Sequence, residues 1–357
     1  MKNVSVKDRA KGALVGAFIG DALGLGPHWY YDLQEQYKDY GEWIDDYTTP
    51  KEGRYHAGLK AGDNSQAGFI LELLTKSLIE NDGYNNDDFT NKLDEELFTK
   101  IDGTPNSGPG GYTSQSIRES YKQRVKGKHS WDEIGTLADT TEAIERVLAI
   151  AIYYAKYPKE MARYVWQNTN VTQVDATVAS ITVAFSAVLS QLIMGEAFDS
   201  KLSAKLMDMV KEKKLPFHAV TSDNFNPPKV GVKEPSREGV FSSPDALLTP
   251  MFIIQAVEDE NIKIEPAWKA SLVYGMPCAI YHIVPSVYFL TASYKDDFES
   301  AVLHALNGGG QNMARAMLTG ALVGAQVGIQ GIPQRFIDGL TRKKEILELV
   351  EGLAENL

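Results

Sequence analysis

The chain has 357 residues, 43% of them hydrophobic and 23% charged, which is enough apolar material for a large core. Its formal net charge of -11 repels polyphosphate and argues against broad nucleic-acid binding. A small phosphorylated ligand, held by a local nest of N–H groups, stays compatible with that charge. The single cysteine, Cys278, allows no intramolecular disulfide and fits a reducing, cytoplasmic compartment. Within CAIYHIVPSVYFL it reads first as a small buried hydrophobe and second as a nucleophile.

In chain order, Lys2, Lys7, Arg9 and Lys11 precede GALVGAFIGDALGLG, which has the outline of a signal peptide. Asp8, Asp21 and glycines at helical spacing point instead to a core helix of the mature protein. Ser65 opens SQAGFILELLTKSLIEN, with Phe69, Ile70, Leu73, Leu74 and Leu78 on one face. Asp87 opens DDFTNKLDEELFTKI. Ser130 and Glu133 form a capping box that predicts a long helix toward Tyr157, and Thr172 and Asp175 a similar box before ATVASITVAFSAVLSQLIMG. Further helices are expected over about 199–214, 244–258, 264–275, 279–293, 297–306, 312–328 and 343–356. No apolar run is expected to reach the roughly 18 residues that span a bilayer, so no membrane partner is expected. Strand-like alternation is nearly absent, so the class is all-α. No linker interrupts the chain, and 1–357 reads as a single multi-helix domain. Residues 215–246, with Pro216, Pro227, Pro228, Pro235 and Pro244, carry no helical period and read as a long loop, either a lid or partner contact or an inert insertion.

The hexapeptide GALVGA occurs at 12–17 and again at 320–325. Gly12, Gly16, Gly20 and Gly24 continue one series, Gly320, Gly324 and Gly328 the other. Each glycine costs about 1 kcal/mol against alanine in a helix, and spacing by four compensates by letting a second helix approach closely. Packed antiparallel, the two helices bring Asp21 and His28 to the same end as Gln311 and Asn312. NGGGQN, at 307–312, places three glycines before a helix, a geometry that offers N–H groups to an anion or serves as a plain turn.

RAKGALVGAFIGDALG is similar to the opening motif of the ADP-ribosylglycohydrolases, and NGGGQNMARAMLTGALVGAQVGIQGIP to their closing motif. AGDNSQAGF falls where that family places Thr-Asp-Asp-Thr, GPGGYTS where it has a Gly-rich ribose and phosphate loop, and VTQVDATVAS resembles its Thr-His segment. HWYYD and GGGQNMARA are similar to the J-crystallin branch of the superfamily. The resemblance implies an all-α ADP-ribosylglycohydrolase-like fold over nearly the whole chain. It also implies hydrolysis of an ADP-ribosyl-type bond and two Mg2+ ions held by loop oxygens. Carried over by position, those ligand motifs become Gly62, Asp63, Asn64, Ser65 and Gly310, Gln311, Asn312, Met313, Ala314, so only Asp63 survives of the aspartates. Met313 cannot serve Mg2+. A binuclear centre is therefore not expected, and a single weak Mg2+ on Asp63 and Asn64 is the most this metal-poor, degenerate site would hold.

The expected catalytic residues are Asp63 and Asp21 as bases, with Asp32 a further candidate, and His28 as acid, base or donor. Each has a structural alternative: helix anchor, helix cap or turn residue. The expected ligand-binding residues are Asn64, Ser65, Gly110, Gly111, Tyr112, Ser114, Gly309, Gly310, Gln311 and Asn312, toward a nucleotide- or ribose-like small molecule. Trp29, Tyr30, Tyr31 and Tyr112 read as core or as a stacking surface. His56 and His129 read as surface residues, and Asp139, Glu142 and Arg146 as an intrahelical ion-pair ladder. A protonated His28, with the NGGGQN N–H groups, would accept a phosphate without Mg2+ and bind more tightly at about pH 6 than at about pH 8. Two functions follow: hydrolysis of a ribosyl glycosidic bond, or a non-catalytic binding or structural role of crystallin type on the same fold.

Overall fold

The computed structural model describes residues 4–218, 230–231, 240–241 and 243–357. Its helices run α1 (Val6–Gly24), α2 (Leu33–Tyr40), α3 (Gln66–Glu80), α4 (Asn86–Lys92), α5 (Gln115–Tyr121), α6 (Glu142–Arg146), α7 (Leu148–Tyr153), α8 (Pro158–Asn170) and α9 (Ala176–Ile193). They continue with α10 (Leu202–Lys211), α11 (Asp245–Glu258), α12 (Ala270–Tyr274), α13 (Ile280–Ser293), α14 (Phe298–Asn307), α15 (Asn312–Val327), α16 (Gln334–Gly339) and α17 (Lys343–Ala354). Among the described residues, β pairing is limited to isolated bridges. The fold is all-α, as the missing period-2 pattern predicts.

The centre of the molecule is the antiparallel pair α1 and α15. A Cβ built on Gly12 would stand 2.2 Å from the Gly324 carbonyl oxygen, one on Gly16 2.2 Å from that of Gly320, and one on Gly20 2.2 Å from that of Ala316. The two GALVGA segments therefore meet in register, backbone on backbone. α1 is buried on all sides from Gly12 to Gly24, which a mixed apolar and glycine sequence permits. One hydrophobic cluster, running from Ala10 to Ala354, surrounds the pair.

Side-chain caps start several helices: Ser5, Asp32, Ser65, Asn85, Asp175 and Asp297 each accept a bond from a first-turn N–H. Three expectations are corrected here. The Ser130–Glu133 box forms, but it caps a single turn, Trp131–Glu133, and no long helix follows. The chain is instead held extended by Gln173, whose amide donates to Ala138 O and Thr140 O and accepts from Ala143 N–H. Helix resumes only at α6. Asp175 alone caps α9, since the Thr172 hydroxyl has no partner. α9 is also long and apolar enough, by length and composition, to cross a membrane, against the expectation that no segment would be; 78% of it is buried inside the fold. Most of the Pro-rich 215–246 segment lies outside the described residues. Its described ends pair Phe217 with Phe241.

Candidate functional site

The α1–α15 seam ends in a buried polar cluster. Asp21, in the last turns of α1, is fully buried and accepts from Ser65 N–H at 2.9 Å, Ser65 Oγ at 2.5 Å and Asn64 Nδ2 at 2.9 Å. It thereby fixes the N-cap of α3, and Gly68 leaves room for it, since a Cβ there would lie 2.5 Å from Asp21 Oδ2. Burial raises its pKa against these bonds. Asp21 lies beneath the site as an anchor, with its oxygens already committed.

His28 follows α1 and is 1% exposed, as is His56. His28 Nδ1 lies 2.7 Å from His56 Nε2, His28 Nε2 lies 2.5 Å from Gln311 Oε1, and His56 Nδ1 lies 2.7 Å from Gly110 O. Proton counting fixes the polarity of this chain. Gly110 O only accepts, so His56 Nδ1 carries a proton and donates to it. His28 Nδ1–H then donates to His56 Nε2. Two neutral rings result only with the Gln311 amide turned over, its oxygen and nitrogen exchanged, so that its NH2 group donates to His28 Nε2. Neutral rings are what the burial dictates: desolvation and the neighbouring imidazole hold His28 well below the usual range, and burial pushes His56 down to about 4. This arrangement counts against the protonated His28 expected from the sequence, and it lends no support to the expected preference for pH 6. His56, read there as a surface residue, is a buried member of the cluster with a left-handed φ of 65°.

Beside this pair lies a cavity lined by Trp29, Tyr112, Ser114, Ser65, Gln66, Glu142, Glu145, Gln311 and Met313, among others. It is small, about 30 Å3, room for a water or two. Trp29, Tyr55 and Tyr112 pack edge to face at its rim, with centroids 4.4–5.3 Å apart. The Gly-rich loop closes one side. Gly110 and Gly111 both have φ of 74°, and a Cβ on Gly110 would stand 1.9 Å from the Gln66 backbone nitrogen.

Glu142 and Glu145, on α6, were not singled out as site residues. Burial raises the Glu142 carboxyl, and burial together with the Glu142 charge pushes Glu145 up to about 8. The predicted ladder does not form among the described side chains. Asp139 accepts from Tyr281, Glu142 from Thr140, and Arg146 donates to Asn168. The available signal was two acids, three residues apart, in a segment otherwise as apolar as EAIERVLAIAIYY.

Other expected residues are placed differently. Asp63 does not line the cavity; it accepts from Lys60 N–H and from the Thr341 hydroxyl at 2.7 Å. Asp32 caps α2. Asn64 is committed to Phe18 O and Asp21, and Asn312 turns inward to Pro27 O and Leu306 O. The NGGGQN loop is not an open anion cradle: Gly310 N–H donates to Tyr30 O at 2.7 Å and Gln311 N–H to Met276 O at 2.9 Å. Gly309 and Gly310 adopt positive φ for packing, a Cβ on Gly310 falling 2.4 Å from Met276 O. Arg315 is fully buried and donates to Ala305 O and Gly309 O, and burial pushes its guanidinium down to about 9. Cys278 is half-buried and its thiol is pushed up to about 11, which leaves it a poor nucleophile.

The ligand set implied for Mg2+ does not fit here. Asp63 faces Thr341, the Gln311 amide is committed to His28, and Met313 presents a thioether to the cavity. No group of three or more His, Cys, Asp or Glu is disposed to hold an ion among the described residues.

The chain is similar over 98% of its length to an uncharacterized protein of Archaeoglobus fulgidus, at 22% identity and 97% of that protein. It is also similar, at 22% identity over 99% of both chains, to crystallin J1A of Tripedalia cystophora. A solved structure, described as an ADP-ribosylglycohydrolase-related protein complex, superposes over 98% of both chains with a TM-score of 0.62 at 15% identity, which speaks for the fold alone. The family model for ADP-ribosylglycohydrolase matches residues 2–357, and the chain belongs to that family.

Proposed function

We propose that the chain hydrolyses a ribosyl-type glycosidic bond in the cavity at the end of the α1–α15 seam, without a binuclear metal centre. One observation carries this reading: two carboxyl groups with raised pKa values line one small, partly open cavity in a chain of the ADP-ribosylglycohydrolase family. Glycosidic cleavage needs a proton for the leaving group and an activated water, and carboxyl groups can supply both. The ligand of this reading is a ribose-bearing small molecule. The test is a panel of ribosides and ADP-ribosylated peptides, assayed for release of the ribosyl group in EDTA and in Mg2+. Turnover in EDTA supports the reading, and a strict Mg2+ requirement overturns its metal-free part.

A second reading, a structural protein of crystallin type, is favoured by two facts. The cavity of about 30 Å3 holds no sugar as it stands, and the similarity to crystallin J1A spans 99% of both chains. It predicts no turnover and no ligand-dependent rise in Tm with any member of the panel.

A further inference from the structure

We propose that Glu145 and Glu142 are the acid and the base of this site, acting on an uncharged, hydroxyl-bearing sugar ring rather than beside a phosphate. This assignment rests on the hydrolase reading.

Position comes first. α6 is one turn long, and residues three apart share a face, so both carboxyl groups reach the same cavity. The turn is anchored at its start by Gln173, which accepts from Ala143 N–H. Arg146, the nearest cation in sequence, points away: its guanidinium donates to Asn168 Oδ1 at 2.8 Å and to Asn168 O at 2.8 Å. Glu145 is 3% exposed, and its Oε1 has no hydrogen-bond partner. Glu142 accepts from the Thr140 hydroxyl, a bond that favours its ionised form. The groups facing the pair are Asp21 beneath, the neutral His28 and His56 across, Tyr112 at the rim and Arg146 behind. They leave Glu145 protonated near neutrality. Two carboxyl groups whose environments push them apart make an acid and a base.

An independent observation identifies the ligand chemistry. Gln66 is 3% exposed, and its NH2 group donates to Pro109 O at 3.1 Å and to Thr113 Oγ1 at 3.1 Å. That fixes the amide, so Oε1 is the end left over, and it is buried without a partner on the cavity lining. Ser114 Oγ, also on the lining, is unpartnered as well. An orphaned buried acceptor is destabilising, and a ligand O–H relieves it. Among the described residues no Lys or Arg lines the cavity, and the Gly310 and Gln311 N–H groups are spent. A phosphate would meet Gln66 Oε1 and two carboxyl groups, with only the Trp29 indole N–H and the Ser114 hydroxyl to donate to it; the hydroxyls of a furanose, which both donate and accept, would meet partners at all of them. Trp29, Tyr55 and Tyr112 must part to admit the ring.

The reaction then balances without metal or redox partner. The Glu145 carboxylic acid passes its proton to the glycosidic oxygen or nitrogen as the bond to C1 breaks, and the bonding pair leaves with the leaving group. Water adds to the oxocarbenium carbon and gives its proton to the Glu142 carboxylate. Return of that proton to Glu145 restores the site; the net change is addition of water across the bond.

The experiment uses the full chain in EDTA and two ribosides that differ only in leaving group: methyl ribofuranoside, whose alkoxide must be protonated, and p-nitrophenyl ribofuranoside, whose phenolate leaves without help. E145Q should lower kcat on the methyl riboside by about 10²–10⁴-fold and on the nitrophenyl riboside by less than tenfold. E142Q should lower both by a comparable large factor. Equal losses on both substrates in E145Q, or none, overturn the acid assignment while the hydrolase reading stands. A wild type that turns over neither riboside but does release ADP-ribose from peptides overturns the phosphate-free ligand. No turnover of any substrate overturns the hydrolase reading itself, and the pair's role with it. Thermal unfolding of both variants separates a folding defect from a catalytic one.

Discussion

The α1–α15 seam and the cavity at its end are built from adjacent residues on opposite rules. In the seam, side chains are removed so that backbones touch. Gly12, Gly16 and Gly20 face Gly324, Gly320 and Ala316 at distances that leave no space for a Cβ. In the cavity, side chains from α3, α6, α15 and several loops converge, and buried polar atoms are left without partners: Glu145 Oε1, Gln66 Oε1 and Ser114 Oγ. The seam closes on itself, whereas the cavity holds polar groups that the protein leaves for a water, a ligand or a proton to satisfy. Stability and chemistry are thus separated along one helix pair, and each can be attacked on its own.

The largest effect is expected in the seam. Gly16→Ala gains about 1 kcal/mol of helix propensity, but its Cβ would stand 2.2 Å from Gly320 O. Overpacking costs typically about 1–3 kcal/mol, and more where backbone must move. Net destabilisation is expected, with Gly16→Val failing to fold. Gly352→Ala in α17 is the control: its nearest neighbour would be the flexible tip of Ile79 at 3.1 Å. Denaturant melts of the two alanine variants check this. A G16A midpoint equal to that of G352A would mean that the seam is not close-packed.

The cavity should show itself in pH dependence. The Glu145 carboxyl is raised from 4.5 to about 8 in the folded chain. A raised folded pKa contributes stability that is fully present below 4.5 and is lost as pH rises to about 8. Such a shift corresponds to something on the order of 4–5 kcal/mol. Glu145→Gln removes that slope, so the variant should overtake the wild type in stability above about pH 7, as read by urea midpoints across pH 5–9. Parallel profiles would place Glu145 in water.

His56 works in the other direction and more weakly. Its folded value near 4 lies below the ordinary 6.5, so its stabilisation is present above 6.5 and is lost as pH falls toward 4. The amount is on the order of 3 kcal/mol. Between about pH 4.5 and 6.5 the two slopes oppose each other in the wild type. His56→Gln should therefore shrink the acid limb to the share that the buried His28 keeps and expose more of the alkaline decline that Glu145 imposes. An acid limb unchanged in H56Q would contradict the buried neutral pair.

The same division explains what could be read in the sequence. The seam was legible because its signal is local and repeated: GALVGA twice, with glycines at spacing four, fixes both the burial and the register. The cluster of Asp21, His28 and Gln311 followed from that register. His56 was not legible, because nothing in GRYHAGLK marks the ring as buried; its burial comes from His28 and Gly110, which are remote in sequence. Glu142 reads from the sequence as part of an ion-pair ladder and Glu145 is not marked out, because helix periodicity cannot say which face meets a cavity. The NGGGQN loop misled for the reverse reason: glycines that expose N–H groups in isolation here let Tyr30 O and Met276 O approach and consume them.

The smallest effect is expected at Asp63, the one aspartate surviving from the family's metal motif. Position in the motif would make it a ligand or base. Its carboxylate instead joins two surface segments, accepting from Lys60 N–H at 2.8 Å and from the Thr341 hydroxyl at 2.7 Å. It does not line the cavity, while its chain neighbours Ser65 and Gln66 do. Asp63→Asn keeps an acceptor oxygen and removes the charge. A partly exposed hydrogen bond of this kind is worth about 0.5–1.5 kcal/mol, so the variant should lose at most that in stability and change riboside turnover less than twofold. Its response to Mg2+ should match the wild type. A tenfold loss of turnover in D63N with an unchanged melt would bring the reacting centre back to the loop and away from α6.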